Sequence, residues 1–188
     1  MDLLLGIFSA FGLSASAGLN AYIPLFIIGA IAHYTDWIKL AAPYDALANP
    51  WILILLGVLI LIEFLADKIP AINHLNDLIQ TLIRPVAGAI VFAAAARALT
   101  SLNPLLALAS GLLVAGSVHT AKAGIVRPAV TATTGGAANL PVSLAEDLLA
   151  TLTSFLAIIL PVIIACLLLL LAAWLTWRTW KRSKARVL

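Results

Sequence analysis

The sequence predicts an all-α fold: one polytopic bundle of about five transmembrane helices with a short amphipathic or re-entrant helix between them. Hydrophobic residues make up 63% of the 188 residues and charged residues only 10%, whereas soluble domains carry roughly 25% charged residues. Long apolar runs recur along the chain, and polar residues gather between them. Because little polar sequence is left over, we interpret residues 1–188 as a single integral membrane domain.

The first apolar run, from Leu3 to Ala32, is too long for one straight span. At a rise of about 1.5 Å per residue it would form a helix of roughly 45 Å, whereas bilayer hydrocarbon is about 30 Å thick. We therefore expect it to tilt, kink or break around Gly18, Asn20 and Pro24. A cleaved signal peptide is not predicted, because no Lys or Arg precedes the run and the apolar sequence resumes after Gly18.

Asparagine–proline pairs indicate where two later spans begin. Asn49-Pro50 and Asn103-Pro104 each place a capping side chain before a proline at the first helical position. The missing N–H of proline costs nothing there. Each pair opens a long apolar run.

Two other motifs are interpreted as helix starts. Arg84-Pro85 precedes an alanine-rich run, and Ser143-x-x-Glu146 has the pattern of a capping box at the head of the last run. Together with the first run and the Asn-Pro pairs, these starts give five spans. Four or six are the alternatives if the first or last run divides differently.

Two polar connectors lie between the predicted spans, one between the second and third spans and one between the fourth and fifth, and they differ in predicted structure. Between Ile72 and Ile83, apolar residues recur at helical spacing with polar residues opposite, which predicts a short interfacial or re-entrant amphipathic helix. Residues 131–138 are small and uncharged and include two glycines, which predicts a flexible loop or a backbone-lined cavity. With five spans both connectors emerge on the same side of the membrane, where their charges can converge.

The candidate functional residues lie in three polar stretches, 63–84, 119–127 and 139–147, and in the first run. An ionisable side chain at membrane depth costs a few kcal/mol unless it is paired or hydrated, so such residues mark functional sites. The predicted substrate- or ion-binding residues are Asn20, Glu63, Asp67, Lys68, His74, Asp77, Arg84, His119, Lys122, Arg127, Glu146 and Asp147. The sequence assigns no catalytic residue and no cofactor.

Glu63 and Asp67 give the sharpest chemical signal. They are four residues apart, so they share one helix face. Two carboxylates in a low dielectric repel each other until a proton, a metal ion or a neighbouring cation relieves the repulsion. Two interpretations stay open: the pair carries a coupling proton or cation, or it belongs to an ion-pair network that locks the bundle. In both, one carboxylate should reach at least one of Lys68, Arg84, Lys122 and Arg127.

Small residues recur every four positions in the fourth span and end on a histidine. This seam allows another helix to approach closely and directs the imidazole into the bundle. The seam consists of Ala107, Gly111, Ala115 and His119. A metal site would need four side chains to converge: His74, Asp77, His119 and Glu146. No HExxH-like motif is present, and a packed, hydrogen-bonded histidine is the alternative for each imidazole.

The basic segment 178–188 contains five of the eleven lysines and arginines together with Trp180, and it follows Trp174 and Trp177. This pattern is typical of a cytoplasmic membrane anchor with an aromatic belt. We therefore expect a cytoplasmic tail, a protein of the cell's inner membrane and no nucleic-acid partner. The expected partners are membrane lipids, with a small ion, an anionic amphiphile or a second copy of the chain as further candidates.

Five motifs in combination resemble a known family. They are Ser16-Ala17-Gly18-Leu19-Asn20-Ala21, Glu63-x3-Asp67-Lys68-Ile69-Pro70, Arg84-Pro85-x2-Gly88, Arg127-Pro128 and Ser143-x2-Glu146-Asp147. They are similar to motifs of small bacterial multi-pass membrane proteins grouped as a domain of unknown function, number four thousand one hundred and twenty-six. The resemblance covers nearly the whole chain and implies a membrane architecture, but it implies no reaction.

Three classes of function stay open. The first is a small transporter, flippase or channel with a polar site lined by acids, histidines and arginines and coupled to protons or cations. The second is an integral-membrane, metal-dependent hydrolase or transferase acting on a lipid-linked substrate. The third is a non-catalytic membrane scaffold. The first is preferred, because no complete protease or lipid-phosphotransferase motif is visible.

Overall fold

Helices account for all the regular secondary structure in the described part of the chain, which confirms the predicted all-α class. The computed structural model describes residues 2–66, 70–99 and 102–160, and of these residues 2–5, 70–77 and 99 by their backbone alone. The helices are α1 (Asp2–Leu19), α2 (Tyr22–Tyr34), α3 (Pro50–Ala66), α4 (Pro70–Leu99), α5 (Pro104–Ala121), α6 (Arg127–Thr134) and α7 (Asn139–Leu160). A 3-10 turn covers Tyr44–Ala48 and a π-helical turn covers Lys122–Val126.

Three stretches of the described residues are long and apolar enough to cross a membrane: Leu78–Ala98, Pro104–Thr134 and Asn139–Leu160. Shorter apolar helices cover Gly6–Leu19, Tyr22–Tyr34 and Pro50–Ala66. Many large apolar side chains point outward from these helices, as a lipid environment requires. The count of five spans, which treats α1 with α2 as one interrupted span, stays a prediction.

The first apolar run is interrupted where its length predicts a break. α1 ends at Leu19 and α2 begins at Tyr22. Between them, Asn20 Oδ1 accepts hydrogen bonds from the backbone N–H groups of Tyr22 and Ile23, both at 3.1 Å. These are amides that a helix start leaves without a partner. The chain can break inside an apolar run because Asn20 supplies the cap.

Both Asn-Pro pairs start helices, as predicted. The side-chain oxygen of Asn49 accepts from the backbone N–H of Trp51 at 2.9 Å, and that of Asn103 accepts from Leu105 at 2.9 Å. α3 and α5 begin at the proline that follows each asparagine. These two boundaries are set by residues adjacent in the sequence, so the sequence predicts them well.

Arg84-Pro85 does not open a helix, and the separate amphipathic helix predicted before it is wrong. α4 is continuous from Pro70 to Leu99 and contains Pro85. An internal proline removes one backbone hydrogen bond, here to the carbonyl of Thr81. Helices packed against neighbours within a membrane tolerate this loss. Tertiary packing of α4 therefore outweighs the local preference of the Arg-Pro pair.

The connector after α5 is mostly helical, so the loop predicted for residues 131–138 is only partly correct. α5 continues through the π-helical turn into α6, and only residues 135–138 form a turn. Gly135 and Gly136 have φ of 62° and 90° there. Other residues rarely adopt such angles, so the two glycines determine where α6 ends.

Ser143 is not a helix cap, and the predicted capping box is wrong. α7 begins at Asn139, which places Ser143 more than a turn inside the helix. The carboxylate of Glu146 binds Arg127 rather than the start of its own helix. Glu146 therefore forms an ion pair with a neighbouring helix, whereas the local pattern predicted that it would cap its own helix.

α4 lies at the centre of the bundle, between α1 and α5. Its residues 91–96 are at most 2% exposed. Small residues bring the helices close together, because a methyl group added to Gly88 would collide with Ala115. The predicted seam is confirmed, since the buried residues of α5 are Ala107, Gly111, Ala115 and His119. Its last member therefore lies against α4.

Candidate functional site

Charged side chains from α3 to α7 meet inside the bundle, beside the interruption between α1 and α2. Six ionisable side chains there are each at most 7% exposed: Glu63, Arg84, His119, Lys122, Arg127 and Glu146. Buried charges require partners because removal from water costs several kcal/mol per ion. The partners divide these residues into two groups. The Glu63 cluster consists of Glu63, Thr81, Arg84 and His119. The Glu146 cluster consists of Asn20, Lys122, Arg127, Glu146 and Asp147.

The Glu63 cluster is a chain of side-chain hydrogen bonds across three helices. Arg84 Nη2 donates to Glu63 Oε1 at 2.7 Å, and Arg84 Nη1 lies 3.3 Å from His119 Nδ1. His119 Nε2 lies 3.1 Å from Thr81 Oγ1. This confirms that Glu63 or Asp67 meets one of the four cations, and the cation is Arg84.

The hydrogen bonds assign the tautomer of His119. A guanidinium group has donors and no acceptor, so Nδ1 of His119 must accept from Arg84. The proton of a neutral imidazole then lies on Nε2, which donates to the hydroxyl of Thr81. His119 is therefore a packed, hydrogen-bonded histidine with both ring nitrogens engaged.

Tyr22 and Gln80 extend the Glu63 cluster towards the interruption, and neither was predicted as a site residue. A hydrogen bond joins their side chains, and Tyr22 interacts electrostatically with Glu63 and Arg84. Gln80 is buried, and its Oε1 has no hydrogen-bond partner among the described residues; the same is true of Arg84 Nε. For Gln80 a signal was available, because it lies four residues before Arg84 and so shares its helix face.

Glu146 binds two cations at once. Its Oε2 lies 2.9 Å from Lys122 Nζ and 2.6 Å from Arg127 Nη2. Arg127 Nε also donates to Oε1 at 3.4 Å, so the guanidinium contacts both carboxylate oxygens. Loss of either cation would still leave Glu146 with the other.

The π-helical turn positions the two cations of the Glu146 cluster. Its hydrogen bond runs from the backbone N–H of Arg127 to the carbonyl of Lys122, five residues earlier. Such a turn brings residues five apart towards one face, and single π turns are frequent at functional sites. The extra residue in this turn allows Lys122 and Arg127 to reach one carboxylate on α7.

Lys122 and Asn20 connect the Glu146 cluster to the broken helix. Lys122 Nζ also donates to the backbone carbonyl of Leu19, the last residue of α1, at 2.9 Å. Asn20 Nδ2 donates to Asp147 Oδ1 at 3.0 Å. Both sides of the interruption are therefore contacted by polar residues of the Glu146 cluster.

The two clusters form one electrostatic unit. Lys122 interacts with Arg84 of the Glu63 cluster as well as with Glu146 and Arg127. His119 lies three residues before Lys122 and interacts with both Lys122 and Glu146. A change of charge at one cluster is therefore felt at the other.

Most of the predicted site residues converge in these clusters: Asn20, Glu63, Arg84, His119, Lys122, Arg127, Glu146 and Asp147. Asp67 and Lys68 lie outside the described residues, as does the basic tail 178–188. His74 and Asp77 lie where α4 is described by its backbone alone. In the part of the chain whose side chains are described, no group of three or more His, Cys, Asp or Glu residues could hold a metal ion.

Comparison with known proteins agrees with the motifs. A family model described as "Domain of unknown function (DUF4126)" matches residues 7–182, a range that contains both clusters. No curated protein and no solved structure matches the chain. The resemblance drawn from the five motifs is thereby confirmed. The chain belongs to the family DUF4126.

Proposed function

We propose that this protein is a small membrane transporter, of the broad class that includes flippases and channels, and that the two clusters form its polar site. Its cargo would be a small ion or an anionic amphiphile. The observation that carries the proposal is the meeting of buried charges at an interrupted helix. Secondary transporters commonly bind substrates and coupling ions where helices are discontinuous, using the exposed ends of the half-helices.

The cost of the buried charges supports a role beyond stability. Replacing a buried ion pair by well-packed apolar residues is often neutral or stabilising, so a bundle that needed only rigidity would not require these residues. Gln80 Oε1 and Arg84 Nε, which have no hydrogen-bond partner among the described residues, support the same conclusion. Buried polar atoms without partners are costly, and a polar ligand would satisfy them.

One observation favours a second candidate, a scaffold held together by ion pairs. Arg84 and Glu63 are 2.7 Å apart, and such a pair locks helices together whether or not anything is transported. The enzyme alternative gains no comparable support, because the ring nitrogens of His119 are engaged by Arg84 and Thr81. We favour the Glu146 cluster over the Glu63–Asp67 pair as the coupling position, because Lys122 of that cluster contacts the helix break, whereas Arg84 holds Glu63 between continuous helices.

We also propose that the protein lies in a bacterial inner membrane with the tail 178–188 in the cytoplasm. The five basic residues of this tail support the orientation, because dense positive charge resists translocation.

Reconstituted vesicles test the transport proposal. The purified chain and its Glu63→Gln and Glu146→Gln variants would be assayed for movement of protons, Na⁺, chloride and a fluorescent anionic phospholipid. Each amide keeps the shape of the acid but cannot carry charge. We expect wild-type flux of at least one probe, and loss of its ion dependence in Glu146→Gln while that variant still folds. The exposed Asp45→Asn variant is the matched control.

Two results would contradict the proposal. One is a wild-type protein that moves none of these probes. The other is unchanged flux in both glutamine variants together with lower melting temperatures, which would identify the clusters as a structural lock. Turnover of a lipid substrate without transmembrane movement would favour the enzyme.

A further inference from the structure

The end of α1 is an oxygen-rich position inside the bundle. The last carbonyls of a helix lack partners within the helix and carry partial negative charge. The carbonyl of Ser16 accepts from the backbone N–H of Asn20 at 3.0 Å. The carbonyl of Leu19 instead accepts from Lys122 Nζ at 2.9 Å. A side-chain ammonium group therefore completes this half-helix.

The same ammonium group is held by a carboxylate. Lys122 Nζ lies 2.9 Å from Glu146 Oε2, and the residue is only 4% exposed. Water therefore competes little for these oxygens. In secondary transporters, the C-terminal ends and unwound carbonyls of broken helices coordinate Na⁺. Here a lysine occupies the equivalent chemical environment.

We propose that these oxygens form a monovalent-cation site and that the Lys122 ammonium group is its resident cation. The inference deepens the proposed function and rests on it, because it treats the interruption as part of the transport site. It excludes a coupling Na⁺ or K⁺ from this position in the wild-type protein. Because Lys122 is tethered by the π-helical turn, its effective concentration at the site is high and does not depend on the salt outside.

The surrounding charges explain why the ammonium group and a free cation exclude each other. Lys122 faces Glu146 on α7, Arg127 on α6, Arg84 on α4 and, one turn earlier on α5, His119. One carboxylate already serves two cations in direct contact, and Arg84 adds a third positive charge nearby. A further cation can enter only when the charge of Lys122 is removed.

Two substitutions with opposite effects on space provide the test. Lys122→Ala removes the ammonium group and leaves room beside the oxygens, whereas Lys122→Met removes the charge and fills the room. Melting temperatures would be measured in detergent with NaCl, KCl or choline chloride at one ionic strength. We expect Na⁺ or K⁺ to raise the melting temperature of Lys122→Ala by about 3 °C or more over choline. The wild-type protein, Lys122→Met and the exposed control Lys39→Ala should melt equally in all three salts.

Equal melting of Lys122→Ala in the three salts would overturn the proposal. So would a wild-type protein that melts higher in Na⁺ or K⁺ than in choline. Lys122→Ser probes the same oxygens if Lys122→Ala does not fold, and failure of both to fold in Na⁺ or K⁺ also counts against the site. Because this experiment measures melting temperatures and no flux, its result does not depend on the result of the transport assay. Cation-dependent stabilisation of Lys122→Ala together with an inactive wild-type protein would contradict only the proposed function.

Discussion

The Glu63 and Glu146 clusters use the same kinds of residue on different kinds of backbone. In the Glu63 cluster, Arg84 links Glu63 to His119 across α3, α4 and α5. Each of these is one continuous α-helix, although Pro85 removes one backbone hydrogen bond of α4 beside Arg84. The Glu146 cluster lies among three irregularities: the break after α1, the π-helical turn and the Gly135-Gly136 turn. One of its cations contacts a backbone carbonyl at a helix end.

This difference in backbone indicates which cluster stabilises the bundle and which cluster can change its contacts. Side chains on regular, packed helices can exchange partners only if whole helices shift, because close-packed interiors resist small deformation. Residues at breaks and turns can change partners through a few backbone angles. We therefore infer that the Glu63 cluster mainly holds the bundle, and that the Glu146 cluster contains the groups that move during transport.

The largest expected effect is on stability and comes from the Glu63 cluster. Arg84→Met should lower the free energy of unfolding by about 3–5 kcal/mol, because it removes the cation from the buried carboxylate of Glu63. Arg97→Met is the matched control, since Arg97 lies on the same helix but is exposed; it should change stability by less than about 0.5 kcal/mol. Chemical denaturation in detergent measures both. Similar losses in the two variants would contradict the holding role.

A smaller effect is expected at His119, and its pattern tests the assigned tautomer. His119→Phe should lower the free energy of unfolding by about 1–3 kcal/mol, because it removes the acceptor facing Arg84 and the donor facing Thr81. His119→Asn should recover part of this loss, since its amide oxygen can replace Nδ1 as the acceptor. The exposed His33→Phe serves as the control. Equal stability of the Phe and Asn variants would argue against Nδ1 as an acceptor.

Local chemistry made much of the fold predictable. Asn49 and Asn103 cap the helices that follow them, and Asn20 caps the helix that begins after the break. In each case the deciding hydrogen bond joins residues two or three apart. The seam ending at His119 was equally predictable, because its spacing of four depends only on helical periodicity.

The incorrect predictions fall where packing between distant residues outweighs local preference. Pro85 lies inside α4 although proline usually begins or breaks a helix, because α4 is packed against both α1 and α5. Ser143 and Glu146 have the pattern of a cap, but Arg127 takes the carboxylate. No local pattern encodes such competition between distant partners.

The sequence predicted which residues belong to the site, but it did not predict which of them contact each other. The cost of burying charge pointed to Glu63, Lys122 and Glu146, because each lies in a polar stretch bordered by long apolar runs. The contact between Lys122 and the Leu19 carbonyl has no sequence signature. That acceptor becomes available only where the first helix breaks, and the π-helical turn that aims the lysine at it is not visible in the pattern.

The smallest expected stability effect belongs to Lys122 and gives the most direct test of the difference between the clusters. Lys122→Met should lower the free energy of unfolding by only about 1–2 kcal/mol, because Arg127 still binds Glu146 through two contacts. It should nevertheless abolish flux of the probe that the wild-type protein moves, since the resident cation at the helix end is lost. Lys39→Met, which removes an exposed lysine, controls for charge.

Flux and unfolding free energy measured on the same Lys122→Met preparation decide the central claim. We predict a folded protein whose free energy of unfolding falls by only about 1–2 kcal/mol and which shows no flux. Retained flux would show that the contact between Lys122 and the end of α1 is not part of transport. A stability loss as large as that of Arg84→Met would show that the Glu146 cluster holds the bundle in the same way as the Glu63 cluster.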